Sequence, residues 1–283
     1  MDVEEYFQVA ALESVVPRTD WGALPSRVEE SVRALCEMLE RHGASGTFFV
    51  LGCVADRHPA LVRALVRGGH EVASHGMDHR RVTELTPEEF RASVRESKDR
   101  LEQIAGVKVL GFRAPSFSIV PGREWALDIL IEEGYRYDSS LFPVRRPGYG
   151  YPAGLRDVHR ISRPSGTLLE IPPTTVALAG INLPAAGGAY LRLFPYALVR
   201  SGFRQAERRQ RPGTFYIHPW ELDPQQPRLQ ASWANRLRHY GGLDRVRGRL
   251  ERLLAEFHFT SIARQLECGV FAEVEATFAG AGR

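Results

Sequence analysis

Along the first half of the chain, apolar residues follow two alternating rhythms, a helical spacing and short unbroken runs, which together predict helix and strand in turn. From Ser26 to His42, Val28, Val32, Leu35 and Leu39 share one helical face, behind a Ser26-x-x-Glu29 capping box and ahead of Gly43. The run GTFFVLG, Gly46 to Gly52, reads as a fully buried strand. A helix from Pro59 to Arg67 stops at Gly68 and Gly69, and HEVASHG continues as a strand entering a polar loop.

The unit then repeats. Thr86-Pro87-Glu88-Glu89 combines a cap, a proline at the first helical position and a reciprocal acid, with Phe90, Val94, Leu101 and Ile104 following at helical spacing. VKVLGF, Val107 to Phe112, is the next predicted strand; a helix from Arg123 to Glu133 ends at Gly134, and YRYDSS follows as a short strand. Beyond Tyr149 the pattern loosens into a Pro/Gly-rich region up to Tyr190, where TLLEIPP, Thr167 to Pro173, is the clearest strand. A helix from Pro195 to Arg209, a strand TFYIHP and a helix from Leu243 to Phe257 complete the series. The expected organisation is one α/β domain over residues 1–266 and a peripheral tail over 267–283.

Strands separated by single helices favour a parallel sheet with right-handed crossovers, either an open doubly wound sheet or a closed barrel. Both place their active site at the carboxyl ends of the strands. The polar residues just past each strand are therefore the ones that matter: His75 and His79 in SHGMDH, Arg113 in RAPSF, Asp138 in YRYDSS, and His218 with Trp220 in HPWEL. Asp2 and Glu4 join that rim if Asp2 to Phe7 contain the end of a first strand.

Composition narrows the chemistry. With 43% hydrophobic and 25% charged residues the chain can bury a full core, which excludes a disordered or fibrous protein. A net charge of +3, with arginine clusters at 200–211 and 236–252 that are not interleaved with stacking aromatics, argues against a nucleic-acid partner. Cys36, Cys53 and Cys268 are too few for a disulfide framework and favour a reducing compartment. No apolar run approaches the ~20 residues of a membrane span, and a signal peptide is not evident, so a cytoplasmic location is the expectation.

A His-x3-His pair can bring two ring nitrogens to one divalent ion, and a nearby carboxylate would complete a site with coordination positions left open. By spacing alone the pair is as readily structural. Such an ion can lower the pKa of water from 15.7 to about 7, with one acid-base residue taking the proton and another protonating the leaving group. Asp2 and His218 fit those two roles; standing alone, the opening acids also read as a solvated terminus and His218 as a buried histidine satisfied by backbone.

The ordered set resembles the polysaccharide deacetylases of carbohydrate esterase family four. An acidic start, SHGMDH, RAPSF, a downstream Asp and the strand ending YIHPWEL follow one another in family order, over Asp2 to about Ile262. DVEEYF with HPWELDPQQPR is most similar to the subgroup encoded in exosortase-linked exopolysaccharide loci. The resemblance implies a distorted (β/α) barrel with about seven parallel strands and hydrolysis of the amide bond of N-acetylated sugars in an oligo- or polysaccharide. It further implies a divalent metal, with zinc the expected ion, held by His75 and His79, with Asp2 as base, His218 as acid, Arg113 orienting Asp2, and Asp138 paired with Arg113.

Two departures modify this. The family's metal-binding carboxylate directly follows the base, where this chain has Val3; residues 2 and 4 share a face of an extended segment, so Glu4 is the expected third ligand and Glu5 the alternative. Ser116 stands where the family often has an aromatic residue, leaving a backbone N–H to bind substrate, and Trp220 is the other expected substrate contact. The family's first strand has several apolar residues before the acids, where this chain has Met1 alone, which predicts either a start upstream or a first strand reduced to a stub. A cyclic imide or ureide hydrolase on the same scaffold, and a catalytically dead carbohydrate-binding domain, are the competing expectations.

Overall fold

The structure, a computed structural model, describes residues 1–146, 148–271 and 276–279. Its strands are β1 (Asp2–Val3), β2 (Thr47–Val50), β3 (Glu71–Ser74), β4 (Gly111–Phe112), β5 (Tyr137–Asp138), β6 (His159–Arg163), β7 (Gly166–Glu170), β8 (Thr175–Leu178), β9 (Ile181–Pro184) and β10 (Ala276–Ala279). The helices are α1 (Val28–Arg41), α2 (Gly52–Arg57), α3 (Pro59–Arg67), α4 (Pro87–Ala105), α5 (Trp125–Glu132), α6 (Gly188–Leu193), α7 (Tyr196–Arg208), α8 (Trp233–Tyr240), α9 (Val246–Glu256) and α10 (Ile262–Glu267).

Strand follows helix through β5, and the sheet runs β1-β2-β3-β4-β5-β7-β6-β10. Neighbours are parallel except β6 and β7, which form an antiparallel hairpin; β8 and β9 make a separate two-stranded hairpin. The α/β class and mostly parallel sheet match the expectation, with eight strands in the sheet, of which β6 and the edge strand β10 run opposite to the other six.

The predicted strand TFYIHP is extended but carries no ladder of its own. The Asp2 N–H donates to Ile217 O at 3.0 Å and the Thr174 N–H to Thr214 O at 3.0 Å, so residues 214–218 lie between β1 and the chain leaving β7. They span the gap without enough paired groups to form a regular strand, and the barrel is distorted there.

Local chemistry explains most boundaries. Thr86 accepts from the Glu89 N–H at 3.2 Å while its own N–H donates to the Glu89 carboxylate at 2.9 Å, and Gly106 ends α4 in the left-handed conformation. Phe90, Val94 and Leu101 form its buried face. At α1 the expected box is absent: Arg27 stands at the cap, and the Ser26 hydroxyl donates instead to the Glu5 carboxylate, drawn there by a buried acid. The strands VKVLGF and YRYDSS shorten to β4 and β5, and the first strand is the two-residue β1.

β2 is buried along its whole length and lies between β1 and β3. The main core runs from Val32 and Leu35 of α1 through Phe48 and Val50 to Leu127 and Leu130 of α5. A second cluster packs Tyr6, Phe7, Leu12 and Val16 of the loop after β1 against Trp220, Tyr240 and Leu243. That packing draws the segment after Asp2 down over the carboxyl ends of the strands.

Of the expected tail at 267–283, residues 267–271 and 276–279 are described, and Ala276–Ala279 pair parallel with β6 at the sheet edge.

Candidate metal centre and its flanks

Asp2 lies in the two-residue β1, His75 directly follows β3, Arg113 follows β4, and His218 ends the extended 214–218 segment. Parallel strands bring these positions to one rim. Ligand atoms of Glu4, His75 and His79, all three buried, lie within 4.8 Å of one another, the one such cluster among the described residues.

His75 Nδ1 lies 2.7 Å from Arg113 O, and since a carbonyl only accepts, Nδ1 carries the proton and Nε2 is left with a lone pair. Burial pushes the imidazole down to about 4, so it is neutral at pH 7 as a ligand must be. His79 reaches the site through a left-handed backbone, φ 58°, an unusual state for a non-glycine residue. Its Nε2 is 2.8 Å from Glu4 Oε2, yet that oxygen is buried without a hydrogen-bond partner. The approach of this ring nitrogen and carboxylate oxygen, both buried, brings two ligand atoms around one point. Two imidazoles and a carboxylate are also a donor set suited to a divalent cation, so the residues fit the ion that the sequence implies.

Glu4, rather than Glu5, occupies the third position. The Glu5 carboxylate turns away to accept from Ser26 Oγ and from the Arg27 N–H at 2.9 Å. Glu4 Oε1 accepts from Trp220 Nε1 at 3.3 Å. Burial raises the Glu4 pKa but His79 and His218 outweigh it and hold the group ionised.

On one flank stands Asp2, whose Oδ1 receives Arg113 Nη1 at 2.6 Å. Arg113 is itself fixed by Ser139, through its backbone O at 3.1 Å and its Oγ at 2.8 Å, and by the Phe49 ring 4.2 Å away. Burial opposes the charge on Asp2, but Arg113 and His75 keep its carboxyl well below the usual carboxylate range.

The opposite flank is His218. Its Nδ1 is 2.9 Å from Glu221 Oε1, and its Nε2 faces the site, 3.6 Å from Glu4 Oε1 and 3.9 Å from Asp2 Oδ2. Glu221 Oε2 receives Arg192 Nε at 2.7 Å, and Arg192 donates onward to the carbonyls of His239, Gly241 and Arg238. Burial works against charge on Glu221, but Arg192 and His218 bring it down to about 2. Burial likewise disfavours the imidazolium, yet Glu4 and Glu221 carry His218 up to about 9. Gly188 makes room for this pair, because a Cβ there would lie 2.0 Å from Glu221 Oε1.

Two expectations change. Asp138 does not pair with Arg113: its Oδ1 accepts from Ser140 Oγ at 2.6 Å and it shares a hydrogen bond with Glu170, because Asp2 and Ser139 already take the guanidinium. Burial raises Asp138 to about 6 and Glu170 well above its ordinary value, a proton-sharing pair beneath the site. Trp220, expected on the substrate, is 5% exposed and sandwiched between the His218 and His239 rings at 5.2 and 4.3 Å. It orients Glu4 and His218 from behind. Ser116 is half-buried with φ 56° in the loop after Arg113, beside Phe117 at φ 52°. Glu221, Arg192 and Ser139 escape the sequence reading; only Glu221, three residues past His218 in HPWEL, carried a signal.

Residues 20–128 match the family model of the polysaccharide deacetylases, and residues 139–267 match a domain of unknown function, DUF3473. A peptidoglycan deacetylase-like protein of Gibberella zeae is 28% identical over 167 residues, 58% of this chain and 48% of that protein. A chitooligosaccharide deacetylase of Azorhizobium caulinodans is 35% identical over 83 residues, 29% of this chain and 40% of that protein. The chain thus spans less than half the length of these relatives. Among solved structures, a candidate polysaccharide deacetylase from Mycobacterium smegmatis superposes with TM-score 0.66 at 19% identity, covering 100% of this chain and 92% of the other. An allantoinase superposes with TM-score 0.56 at 16% identity, covering 86% and 72%. These two likenesses speak to the fold.

Proposed function

Because the chain carries a polysaccharide deacetylase domain of carbohydrate esterase family four, we propose that it is a metal-dependent hydrolase releasing acetate from N-acetylated sugars of an exopolysaccharide. The carrying observation is the convergence of Glu4, His75 and His79 between an ionised Asp2 and a proton-holding His218.

Glu4, His75 and His79 would hold the ion, with zinc the best match to two imidazoles and a carboxylate. When bound, it would polarise the amide carbonyl and make water a nucleophile near neutral pH. Asp2, kept anionic by Arg113, accepts the proton of the water that attacks the carbonyl carbon. His218 Nε2 gives its proton to the sugar nitrogen as the carbon–nitrogen bond breaks, leaving acetate and a free amine. Glu221 holds the imidazole with Nδ1 protonated, so that Nε2 faces the reacting atoms. The Ser116 backbone N–H would receive the carbonyl oxygen's developing charge, since the N–H groups of Ala114, Phe117 and Ser118 donate to Ser140 Oγ, Ala114 O and Pro115 O.

A hydrolase of cyclic ureides has only a likeness of fold in its favour. A carbohydrate-binding domain without turnover does not account for an acid and a base on opposite sides of one cluster. Acetate release from N-acetylglucosamine oligomers tests the proposal: wild type releases acetate, while His75→Ala and Asp2→Asn lose it. Equal release by all three, or none by metal-loaded wild type, contradicts it.

A further inference from the structure

Charge is divided unevenly along the chain. Residues 1–138 carry 17 basic and 23 acidic side chains, a net −6, whereas residues 139–267 carry 19 arginines against nine acids, a net +10. Such a separation gives the second region a positive field that draws anionic partners. Within it, the stretch from Pro224 to Leu243, which includes α8, holds three arginines and no carboxylate.

The same helix exposes apolar surface. Trp233 is 79% exposed, and Leu237, one turn on, shares its face, while His239 and Tyr240 turn inward. Leu193, exposed at the end of α6, meets Leu237 over Gly241: a Cβ on that glycine would lie 3.2 Å from the leucine of α6 and 3.3 Å from the leucine of α8. Scattered exposed leucines need no explanation, but an open indole adjoining two of them forms a patch.

Guanidinium groups border that patch. Arg236 and Arg238 stand on either side of Leu237 in sequence, and Arg228 lies over the Tyr240 ring at 4.5 Å. Arg146 and Arg238 both bear on the Tyr190 hydroxyl, so Arg146 belongs to the same border. Arg200 and Arg252 pair with Glu256, and Arg204 pairs with Glu207; Arg146, Arg236 and Arg238 have no carboxylate partner among the described residues. Tryptophan and leucine at the centre with free arginines around them is the composition of a helix that lies in a lipid interface, with the indole at headgroup level and the guanidiniums on phosphates. An acidic glycan would satisfy the arginines but leave the leucines in water. A second copy of this chain would set two positive faces against each other.

We propose that this face docks on an anionic lipid bilayer, with Trp233, Leu237 and Leu193 in the headgroup region and Arg146, Arg236 and Arg238 on lipid phosphates. The carbonyls of Arg238 and His239 at the end of α8 accept from Arg192, so docking would hold the His218 flank of the candidate metal centre close to the bilayer. The inference stands apart from the deacetylase reading, because binding is measured without turnover.

Cosedimentation of the full chain with lipid vesicles tests it. Vesicles of phosphatidylcholine with about 30% phosphatidylglycerol should bind at least tenfold more tightly than phosphatidylcholine alone in about 0.1 M salt, and about 0.5 M salt should weaken that binding. Trp233→Ser combined with Leu237→Ser should lower the affinity at least tenfold, as should Arg146→Glu combined with Arg236→Glu, with circular dichroism unchanged in both. Brominated lipid should quench the fluorescence of wild type far more than that of Trp233→Phe. Equal affinity for neutral and anionic vesicles, or binding that survives both double changes, overturns the proposal. So does a dimer, or retention on an acidic polysaccharide, that Trp233→Ser with Leu237→Ser abolishes while vesicles are left unbound, because the face would then serve a different partner.

Discussion

The two flanks of the candidate metal centre each use a buried arginine, and the outcomes are opposite. Arg113 touches Asp2 directly, and the carboxylate is held ionised, ready to accept a proton. Arg192 touches Glu221, which touches His218, and Glu4 together with Glu221 holds that imidazole protonated, ready to give one. On this flank the arginine acts on the interposed carboxylate and not on the ring. In a low-dielectric site the charges that face a group decide its protonation against the cost of burial, chiefly a cation for Asp2 and two glutamates for His218.

The contrast can be broken most severely on the base flank. Asp2→Asn removes the proposed proton acceptor and should lower kcat by roughly 10²–10⁴-fold, with bound metal unchanged. On the acid flank, Arg192→Met strands a buried carboxylate; breaking such a pair costs about 3–5 kcal/mol, measurable as a fall in the denaturation midpoint. Glu221→Gln keeps the shape but removes the charge that supports the imidazolium. It should reduce kcat by about ten- to a hundredfold, leave KM nearly constant, and move the alkaline limb of the pH–rate profile to lower pH. A Glu221→Gln profile with an unmoved limb would show that the glutamate only packs.

The smallest expected effect concerns the acids beneath the site. Asp138 and Glu170 both have raised pKa values in the fold, so the folded state binds more protons than the unfolded one between the ordinary carboxylate range and neutrality. Stability from this pair is therefore full below about pH 4 and falls as pH rises through the folded values. Glu170→Gln should flatten the decline in melting temperature between pH 5 and 8, and an unaltered slope would exclude the pair as its source.

The same flanks show what the sequence carried. Asp2, His75, His79, Arg113 and His218 are legible because parallel strands present their carboxyl ends to one rim, so residues just past each apolar run must meet. Thr86-Pro87-Glu88-Glu89 is legible because a capping box is a local interaction. Ser26-x-x-Glu29 misleads for the converse reason: a buried carboxylate far away in sequence competes for the serine. Arg192 has no local signature at all, since it lies in the apolar stretch of α6 and its partner is brought to it only by tertiary packing. The region after Tyr149 is least legible, because β6 and β7 turn back as a hairpin within a parallel sheet and the 214–218 segment closes the barrel without a ladder.

Everything on both flanks presupposes an ion between them. Metal analysis after equilibration with zinc, on wild type, Glu4→Gln, His79→Ala and Glu5→Gln proteins, is the most direct test. About one ion per chain is expected in wild type and Glu5→Gln, with tenfold or greater loss of affinity in Glu4→Gln and His79→Ala. Equal binding by all four proteins, or loss in Glu5→Gln alone, would contradict the assignment of Glu4, His75 and His79 as the ligands.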